Sequence, residues 1–455
     1  MKRDRGWLPD LEAGAGPLYL RIADALARAR ANGDLQPGDR LPPQRELAQR
    51  LGVDLTTITR AFAEARRRNL IEAVPGRGTF VTLGGPDEPI LDLSMNIPPA
   101  PQGLNLPALI RGGIEGLLKR SSADALLSYH PGPGSPAERA AGSLWLGKRS
   151  PRLPTDRLVV GAGAQSLLAA VLLATTREDE TVLADRLTYP GFIALAAATN
   201  RKLAGVESDE HGMRPDELEK AARTHGARLV YLNPTLHNPT TLTMPEHRRN
   251  NLIAVVRRLG MVLIEDDPYS PLLSSPPPSL LALAPEVTFH VATLAKCISP
   301  FLRTAFCVVP DGQALDDVAR HLRGITLMAP PLMTGLACEW IRDGTAAEIT
   351  EEVRRESGVR QSLAADILPL SSDMGEGFHV WIPLASPLRT AAIVEGALGR
   401  GLAVSGAGEF NVGDEGAQGI RIALGAVPDR RKLAEAMRSL AVLLSGTPSS
   451  PGTLV

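Results

Sequence analysis

Four short apolar runs in the C-terminal part of the chain are each followed by polar residues that could do chemistry. The runs are residues 157–160, 228–232, 261–264 and 289–292, and the segments behind them are 161–165, 233–241, 265–269 and 293–296. Apolar runs that alternate with helical segments are typical of an α/β domain with a largely parallel sheet. Because ligands bind beyond the carboxyl ends of the strands in such sheets, we expect the four segments to converge on one crevice.

The side chains in these segments match the needs of one cofactor. A glycine-rich turn before a helix holds a phosphate through free N–H groups and the helix dipole. A lysine at a buried strand end can form a Schiff base with an aldehyde, and a carboxylate can keep a pyridine nitrogen protonated. Taken singly, the patterns have plainer explanations, namely a surface lysine, a tight turn, a helix cap and a loop. Their joint occurrence at successive strand ends predicts a pyridoxal 5′-phosphate site.

Across about 350 residues the chain resembles the fold-type I aminotransferases. The motifs are SYHP at 128–131, GAGAQ at 161–165, LTYPG at 187–191, NPT at 238–240, EDDPY at 265–269, KCISPFLR at 296–303 and IRIA at 420–423. The resemblance implies three catalytic residues: Lys296 as the Schiff-base lysine, Asp266 facing the pyridine nitrogen, and Tyr269. It also implies that Arg421 holds the α-carboxylate of a substrate.

The same resemblance implies a set of cofactor contacts spread along the domain. They are Gly163, Ala164 and Gln165 in the phosphate loop, Tyr189 stacked on the ring, Asn238 and Tyr269 at the ring hydroxyl, Asp266, Thr293, Lys296, Arg303 at the phosphate, and Tyr129 reaching the cofactor of a neighbouring subunit. Two positions depart from the family pattern. Ala295 replaces a common serine, and Thr241 replaces the glycine of an Asn-Pro-Thr-Gly motif. Neither change removes a primary catalytic group, and we expect both to lower turnover.

Residues 18–81 have the pattern of three helices and a β-hairpin. Periodic apolar residues predict a helix over 18–31 and a second over 44–51, which Gly52 closes. Asp54 is the expected N-cap of a third helix that runs to about Asn69, with its carboxylate accepting backbone N–H bonds near Thr56 and Thr57. Residues 71–74 and 79–81 are predicted strands around a turn. Two helices joined by a glycine turn form a helix-turn-helix, and the hairpin adds a wing.

This segment resembles the winged helix-turn-helix of GntR-type transcription regulators. The matching stretches are PLY at 17–19, LQPGDRLP at 35–42, RELA at 45–48, LGV at 51–53 and GRGTFV at 76–81. The resemblance implies binding to a double-stranded DNA operator through Arg45, Thr56, Thr57, Arg77 and Gly78. The family commonly has Ser-Arg where this chain has Asp54 and Leu55, so we expect weaker or shifted base readout at the front of the third helix.

A winged helix-turn-helix fused to an aminotransferase-like domain resembles the MocR-type subfamily of GntR regulators. The predicted domains are a DNA-binding domain at 14–82, a linker at 83–89, a cofactor-binding domain at 90–445 and a flexible tail at 446–455. The fusion implies a homodimeric transcription regulator that senses an amino compound or the cofactor itself. The alternative is an active aminotransferase of amino acids with an appended DNA-binding domain, and the intact catalytic set leaves enzymatic activity open.

The composition is that of an ordered globular protein. Of the 455 residues, 44% are apolar and 22% charged, which excludes bulk disorder. Residues 1–81 carry 14 Lys and Arg against 10 Asp and Glu, whereas the remainder carries 35 against 40. A basic module on an acidic body is typical of an anion-binding function, and on charge alone it is at least as typical of a solvated surface. The longest apolar run, 166–174, is shorter than the ~20 residues of a membrane span, and three cysteines lack metal-ligand spacing. We therefore expect a cytoplasmic protein without a membrane segment or a metal site.

Overall fold

The computed structural model describes residues 7–9, 17–32, 34–35, 38–68, 70–74, 78–81, 90–120, 126, 128–147, 153–370, 376–413 and 417–445. The chain divides into two compact units. The N-terminal unit comprises the described parts of residues 1–92, 391–404 and 438–455, and the large unit comprises those of 93–390 and 405–437. The predicted linker and tail lie outside the described residues, so the predicted domain limits stay a prediction.

The N-terminal unit contains the three helices and the hairpin that the sequence predicts. They are α1 (Leu18–Ala31), α2 (Gln44–Leu51), α3 (Leu55–Arg67), β1 (Ile71–Val74) and β2 (Gly78–Val81), with the two strands antiparallel. The helices pack on one another through fully buried apolar side chains, among them Ile22, Leu26, Leu47, Ile58 and Phe62. Burial of each such side chain stabilises the unit by about 1.5–3 kcal/mol.

The joint between α2 and α3 differs in one detail from the prediction. Gly52 ends α2 in the left-handed conformation, at φ 63°, as expected. Asp54 occupies the N-cap position of α3, but its carboxylate caps no backbone N–H of the helix. The backbone oxygen of Asp54 accepts from the N–H of Thr57 at 2.9 Å instead. The predicted carboxylate cap is therefore wrong, because the helix satisfies that donor with its own main chain.

The large unit is built around a seven-stranded sheet. The strands are β4 (Leu158–Gly161), β5 (Thr181–Asp185), β6 (Lys202–Val206), β9 (Leu229–Leu232), β10 (Val262–Asp266), β11 (Thr288–Thr293) and β12 (Ala305–Val308). Their order is β4-β12-β11-β10-β9-β5-β6. Strand β12 is antiparallel to both of its neighbours, and the other six strands all run in the opposite direction to it. The four strands that precede the polar segments thus point the same way, and the predicted convergence of their ends is confirmed.

Helices surround this sheet, some packed on its strands and others packed on those helices. They include α4 (Leu106–Arg120), α5 (Pro136–Gly147), α6 (Ala164–Thr175), α7 (Pro190–Ala198), α8 (Pro215–His225), α9 (Glu246–Arg258), α10 (Leu280–Leu283), α11 (Gly312–Thr326), α12 (Pro331–Asp343) and α13 (Thr345–Ile367). Helix α6 is apolar on almost every side, and its residues from Ser166 to Leu172 are all buried. A helix that is apolar all round belongs in a core, so its N-terminus is fixed firmly at the sheet edge.

Short strands complete the structure. A small antiparallel sheet in the large unit orders β13 (His379–Pro383), β16 (Gly419–Ala423) and β15 (Ser405–Gly406). A hairpin joins β7 (Ser208–Asp209) to β8 (Gly212–Met213), and in the N-terminal unit β3 (Leu91–Asp92) pairs with β14 (Leu402–Ala403). The remaining helices are α14 (Pro387–Leu398) and α15 (Arg430–Ser445). Within the described ranges, every helix is too short or too polar to cross a bilayer.

Candidate functional site

Lys296 lies just beyond β11, at the edge where the four strands end. Its Nζ donates a hydrogen bond to the main-chain oxygen of Asn96 at 2.5 Å. Burial around the amine, and to a smaller extent the positive charge of Arg421, lowers the pKa of Lys296 to about 8. A lowered pKa leaves more of the amine unprotonated near neutral pH, and the unprotonated amine is the form that attacks an aldehyde.

Asp266 is the last residue of β10 and is buried beside Lys296. Its Oδ2 accepts a hydrogen bond from the hydroxyl of Tyr231 at 2.6 Å. Burial raises the pKa of Asp266 to about 6, although the hydrogen bond from Tyr231 acts in the opposite direction and lowers that pKa. A buried carboxylate with a raised pKa gains from a positively charged partner, such as a protonated pyridine nitrogen. Tyr231 itself stacks on Phe192, with ring centroids 3.8 Å apart.

The loop after β9 is tied to the end of β10 through Asn233. The side-chain nitrogen of Asn233 donates to the main-chain oxygen of Asp266 at 2.8 Å, and its oxygen accepts from the N–H of Asn238 at 2.8 Å. Asn238 precedes a cis proline, Pro239. These bonds place the Asn238 side chain at the same sheet edge as Asp266. Asn233 is a positioning residue that the sequence pattern did not single out.

Arg421 reaches this edge from β16 of the small sheet. Its Nη1 donates to Oδ1 of Asn238 at 2.7 Å, and its Nη2 donates to the main-chain oxygen of Ser94. The guanidinium also lies over the ring of Phe410, with its central carbon 4.9 Å from the ring centroid. Lys296, Asp266, Asn238 and Arg421 are thus brought together, although they come from four separate parts of the chain.

Tyr269 completes the group through a contact that the sequence did not indicate. Its hydroxyl accepts a hydrogen bond from Nδ2 of Asn96 at 2.8 Å, and burial raises the pKa of Tyr269. The same Nδ2 lies 3.3 Å from Nδ1 of His379. Burial, together with Arg421, lowers the pKa of His379 to about 3, so this imidazole is neutral at physiological pH. Asn96 thus contacts both Tyr269 and Lys296.

The glycine turn after β4 forms a cradle at the N-terminus of α6. Gly163 has φ 89°, a conformation that suits glycine, and Ala164 begins the helix. A Cβ at Gly163 would lie 3.0 Å from Nη2 of Arg303. Arg303 donates from that nitrogen to the main-chain oxygen of Ala162 at 3.2 Å. Gln165 donates to the main-chain oxygen of Gly191 at 2.6 Å. Free helix N–H groups and one guanidinium therefore face the same small volume.

The remaining predicted cofactor contacts differ in how the structure places them. Tyr189 is half-buried at the start of α7, and a Cβ at Gly191 would lie 2.3 Å from its Cζ, so only glycine fits beneath the ring. The hydroxyl of Thr293 is buried and accepts from the N–H of Ala295 at 3.2 Å. Tyr129 is 75% exposed and makes no described contact with the cluster around Lys296. Its predicted role in a neighbouring subunit stays a prediction.

The predicted DNA contacts that the structure describes lie at the surface of the N-terminal unit. Arg45 on α2 and Thr56 at the start of α3 are exposed, and Thr57 is half-buried. Thr59 on α3 donates to Oε1 of Gln44 on α2 at 3.1 Å, which links the exposed sides of the two helices. Leu55 is 42% exposed at the position where the family commonly has arginine.

Both strands of the wing are described, whereas Arg77 lies outside the described residues. Gly78 has φ 117°, and a Cβ there would lie 2.9 Å from Nε of Arg40, so the Arg40 side chain passes over it. Arg40 is exposed and was not singled out, although it lies within the matching stretch 35–42. At the end of α3, Arg67 and Arg68 both donate to Oε1 of Glu64 at 2.7 Å, so these two guanidiniums are paired with a carboxylate.

Comparison with known proteins shows the family. The model for aminotransferase class I and II matches residues 88–440. The chain belongs to this family. In addition, the model for bacterial regulatory proteins of the gntR family matches residues 18–81. An aminotransferase domain behind a GntR-type helix-turn-helix is the MocR-type fusion that the sequence predicts, and the large unit has the predicted fold-type I architecture.

Both transcription regulators and aminotransferases are among the proteins that are similar to this chain. It is 27% identical to the HTH-type transcriptional regulator YdeF of Bacillus subtilis over 90% of each chain. It is 28% identical to the vitamin B6 salvage pathway transcriptional repressor PtsJ of Salmonella typhimurium, over 81% of this chain and 86% of the relative. The crystal structure of LysN, α-aminoadipate aminotransferase from Thermus thermophilus complexed with N-(5′-phosphopyridoxyl)-L-leucine, matches with a TM-score of 0.71 and 26% identity, over 78% of this chain and 92% of that one.

Pyridoxal 5′-phosphate is the cofactor of the aminotransferase domain, and the residues present fit it. The cradle at Gly163 offers hydrogen-bond donors to a phosphate. A side chain at position 163 would crowd Arg303, which is one of those donors. Asp266 supplies a buried carboxylate with a raised pKa, and a positively charged partner would stabilise its ionised form. Lys296 supplies an amine whose pKa is lowered toward neutrality. The cofactor requires hydrogen-bond donors for its phosphate, a carboxylate for its ring nitrogen and an amine for its aldehyde. One edge of the sheet provides all three.

Proposed function

We propose that this chain is a DNA-binding transcription regulator that holds pyridoxal 5′-phosphate and responds to an amino compound or to the cofactor itself. The observation that carries the proposal is the fusion of an exposed helix-turn-helix with an intact cofactor site in one chain. A chain that served only catalysis would have no use for a basic module with a fixed helix-turn-helix. PtsJ, by its name a transcriptional repressor of vitamin B6 salvage, supports the link between this architecture and regulation.

The residues of the site divide the work of holding the cofactor. Lys296 would form the covalent attachment, while Gly163, Ala164, Gln165 and Arg303 would hold the phosphate. When bound, the cofactor supplies an electron-withdrawing ring that stabilises negative charge at the carbon next to an amine. Asp266 keeps the ring nitrogen protonated, since a buried anion favours a cation at hydrogen-bond distance. Tyr189 would contact the face of the ring, and Asn238, Tyr269 and Thr293 would contact its edge.

Arg421 is the proposed contact for the α-carboxylate of the ligand. Its guanidinium donates to two neutral acceptors, the Asn238 side chain and the main-chain oxygen of Ser94. A ligand carboxylate can take the place of these acceptors and form a stronger, bidentate pair with the guanidinium. Because Asn238 would contact the ring hydroxyl of the cofactor, such a replacement would change the contacts of the cofactor as well as those of the arginine. A ligand signal therefore begins at Arg421 and Asn238.

The regulator is proposed to act as a homodimer on duplex DNA in the cytoplasm. Tyr129 would reach the cofactor phosphate of the partner subunit, which makes the site incomplete in a monomer. Two helix-turn-helix modules would then recognise paired half-sites at a fixed separation. Arg45, Thr56, Thr57, Arg77 and Gly78 are the proposed contacts.

The second candidate function is an amino acid aminotransferase. Lys296, Asp266, Tyr269, Asn238 and Arg421 would carry out this reaction, and the structure of LysN, an α-aminoadipate aminotransferase, is similar at 26% identity. The two functions are compatible. Single-turnover mixing of the cofactor-loaded protein with amino acids and 2-oxo acids, followed by visible spectra, separates a ligand that only binds from one that completes transfer.

Selection of duplexes from a random DNA pool tests the regulator function. We expect the cofactor-loaded protein to enrich a two-fold symmetric sequence, whose affinity is then measured by fluorescence anisotropy. Arg45→Ala should weaken binding to the enriched duplex, while Arg28→Ala, an exposed arginine on α1 outside the helix-turn-helix, serves as the matched control. Failure to enrich any sequence would favour the enzyme, whereas equal binding of an enriched duplex by the parent and Arg45→Ala would only exclude Arg45 from the interface.

A further inference from the structure

Tyr231 is a fully buried titratable residue to which the proposed function assigns no role. It lies within β9, between two aliphatic neighbours, and one face of its ring stacks on Phe192 with the two ring planes 10° apart. Its hydroxyl donates to Oδ2 of Asp266 at 2.6 Å, the short distance expected of a hydroxyl bonded to a carboxylate. Phenylalanine would serve the packing equally well, so the hydroxyl requires its own explanation.

Two neighbouring carboxylates at the end of β10 are paired in different ways. Glu265 lies 2.8 Å from the imidazole of His290 and 3.5 Å from the guanidinium of Arg249, so groups that carry positive charge surround it. The side chain of Asp266 has one hydrogen-bond donor among the described residues, Tyr231, and that donor is neutral. Of the two carboxylates, Asp266 is therefore the one that can still take a cation from outside the chain.

The bond from Tyr231 also orients the Asp266 carboxylate. It occupies Oδ2, while the main-chain oxygen of Asp266 accepts from Nδ2 of Asn233 at 2.8 Å. Within the part of the chain that the structure describes, no donor is bonded to Oδ1. This oxygen is the atom left for a partner at the sheet edge.

A neutral donor suits a carboxylate that faces a protonated ring nitrogen. Burial raises the pKa of Tyr231 well above its usual value, so the phenol keeps its proton. A hydrogen bond to the ionised form of a carboxylate favours that form. A cationic side chain in place of Tyr231 would do the same, but it would also repel a protonated ring nitrogen. A phenol stabilises the anion without that repulsion.

We propose that Tyr231 is a positioning residue of the cofactor site, which keeps Asp266 ionised and leaves its Oδ1 to pair with a protonated ring nitrogen. This role rests on the proposed function, in which Asp266 faces that nitrogen. Tyr231 acts on the cofactor only through Asp266, because its own side chain is fully buried and offers no surface to a ligand.

Carbon-13 NMR titration of the Asp266 carboxyl tests the proposal. The full-length protein is labelled at its aspartate carboxyls and freed of cofactor, and the Asp266 resonance is assigned by its loss in Asp266→Asn. Because the hydrogen bond favours the ionised form, its removal in Tyr231→Phe should raise the pKa of Asp266 by about one unit or more, from about 6 in the parent. Tyr19→Phe, which removes a hydroxyl from α1, is the matched control and should titrate like the parent.

The cofactor-loaded protein provides a second readout. With the ionised form of Asp266 destabilised, the ring nitrogen holds its proton less firmly, so exchange of the ligand α-hydrogen with solvent deuterium should fall about tenfold in Tyr231→Phe. Ligand affinity should stay within about twofold of the parent, because Tyr231 does not contact the ligand. A packing defect would reduce exchange and affinity together.

A third measurement needs no change at position 231 and serves if Tyr231→Phe fails to fold. Proton NMR of the parent should show a downfield hydroxyl resonance that moves upfield in Asp266→Asn, because an amide oxygen is a weaker acceptor than a carboxylate. An unchanged Asp266 midpoint in Tyr231→Phe, equal losses of exchange and affinity, or no such hydroxyl resonance would overturn the proposal. Failure to take up cofactor would instead contradict the proposed function, since the carboxyl titration is made without cofactor.

Discussion

The cofactor site and the DNA-binding face of the same chain are built in opposite ways. Around Lys296 the functional side chains are mostly buried and bonded to one another, and burial shifts the pKa of both Lys296 and Asp266 toward neutrality. On the helix-turn-helix, Arg45 and Thr56 are exposed side chains on a well-packed scaffold. The first arrangement is pre-organised for chemistry, which needs fixed geometry. The second leaves its contacts to be completed by DNA, so the two regions should respond differently to mutation.

Lys296→Ala should have the largest effect. Removal of the amine abolishes covalent attachment, whereas removal of any other contact only weakens it. We expect the variant to be colourless after dialysis and to yield no labelled peptide after borohydride reduction. Lys202→Ala, which removes an exposed lysine on β6, is the control and should label like the parent. Label on any lysine other than Lys296 in the parent would refute the assignment.

The pH dependence of attachment should separate Lys296 from an ordinary lysine. Only the unprotonated amine attacks an aldehyde, and the pKa of Lys296 is lowered to about 8. The rate of attachment should therefore rise about tenfold for each pH unit below 8 and level off above it, whereas an ordinary lysine would level off near its usual pKa of about 10.4. Stopped-flow absorbance after mixing cofactor-free protein with pyridoxal phosphate measures the profile. A rise that continues to pH 10 would contradict the lowered pKa.

Asp266→Asn tests the electronic role of the site. An amide cannot favour a protonated ring nitrogen as a carboxylate does, so the cofactor should stay attached while its chemistry slows. We expect exchange of the ligand α-hydrogen with deuterium from solvent to fall about a hundredfold, the size of effect seen when one preorganised electrostatic contact is removed. Asp267→Asn, at the neighbouring buried carboxylate, is the comparison. Equal exchange by Asp266→Asn and the parent would remove Asp266 from the chemistry.

Arg421→Ala should discriminate between ligands. Loss of a charge-assisted contact of ~1.5–3 kcal/mol corresponds to a tenfold to hundredfold loss of affinity for amino acids. Simple amines, which lack the α-carboxylate, should bind as they do to the parent. Visible spectra during titration measure both classes on the same protein. Equal losses for amines and amino acids would make Arg421 a structural residue that only supports Asn238 and Ser94.

Arg45→Ala should have the smallest effect, in keeping with an exposed contact. If Arg45 contacts a phosphate, its removal weakens all duplexes alike and lowers the salt slope of log affinity by about one. If it contacts a base, specificity relaxes at one position at a cost of ~1–3 kcal/mol. Anisotropy titrations over a range of salt separate the two results, with Arg28→Ala as control. An unchanged affinity and slope would exclude Arg45 from the interface.

The parts of the molecule that the sequence predicted are those set by local patterns. Helices α1 and α2 begin and end where apolar spacing and Gly52 place them, and the strand ends at Asp266 and Lys296 lie on one edge because parallel strands share a direction. The predicted carboxylate cap at Asp54 is wrong because the main-chain oxygen of Asp54 accepts the hydrogen bond from the N–H of Thr57 instead. Capping by a side chain depends on a local competition that the residue type alone does not decide.

The contacts that the sequence missed are long-range. Asn96 is 173 residues from Tyr269 and 200 residues from Lys296 along the chain, so no spacing pattern could connect them. His379 enters the site from a separate sheet for the same reason. Tyr231 is different, because its residue type within the strand indicates that its hydroxyl has a partner. A tyrosine inside an otherwise aliphatic buried strand needs a partner for its hydroxyl, and the nearest strand end offers Asp266.

One measurement tests most directly whether the pre-organised site controls the exposed one. Affinity for the selected duplex is measured with and without the amino acid or amine that changes the cofactor spectrum most, in the parent and in Lys296→Ala. We expect that compound to change the parent's affinity at least fivefold, within the usual range of coupling between two sites, and to leave Lys296→Ala unchanged. An affinity that the compound does not change in the parent, or an equal change in Lys296→Ala, would contradict control of DNA binding through the cofactor site.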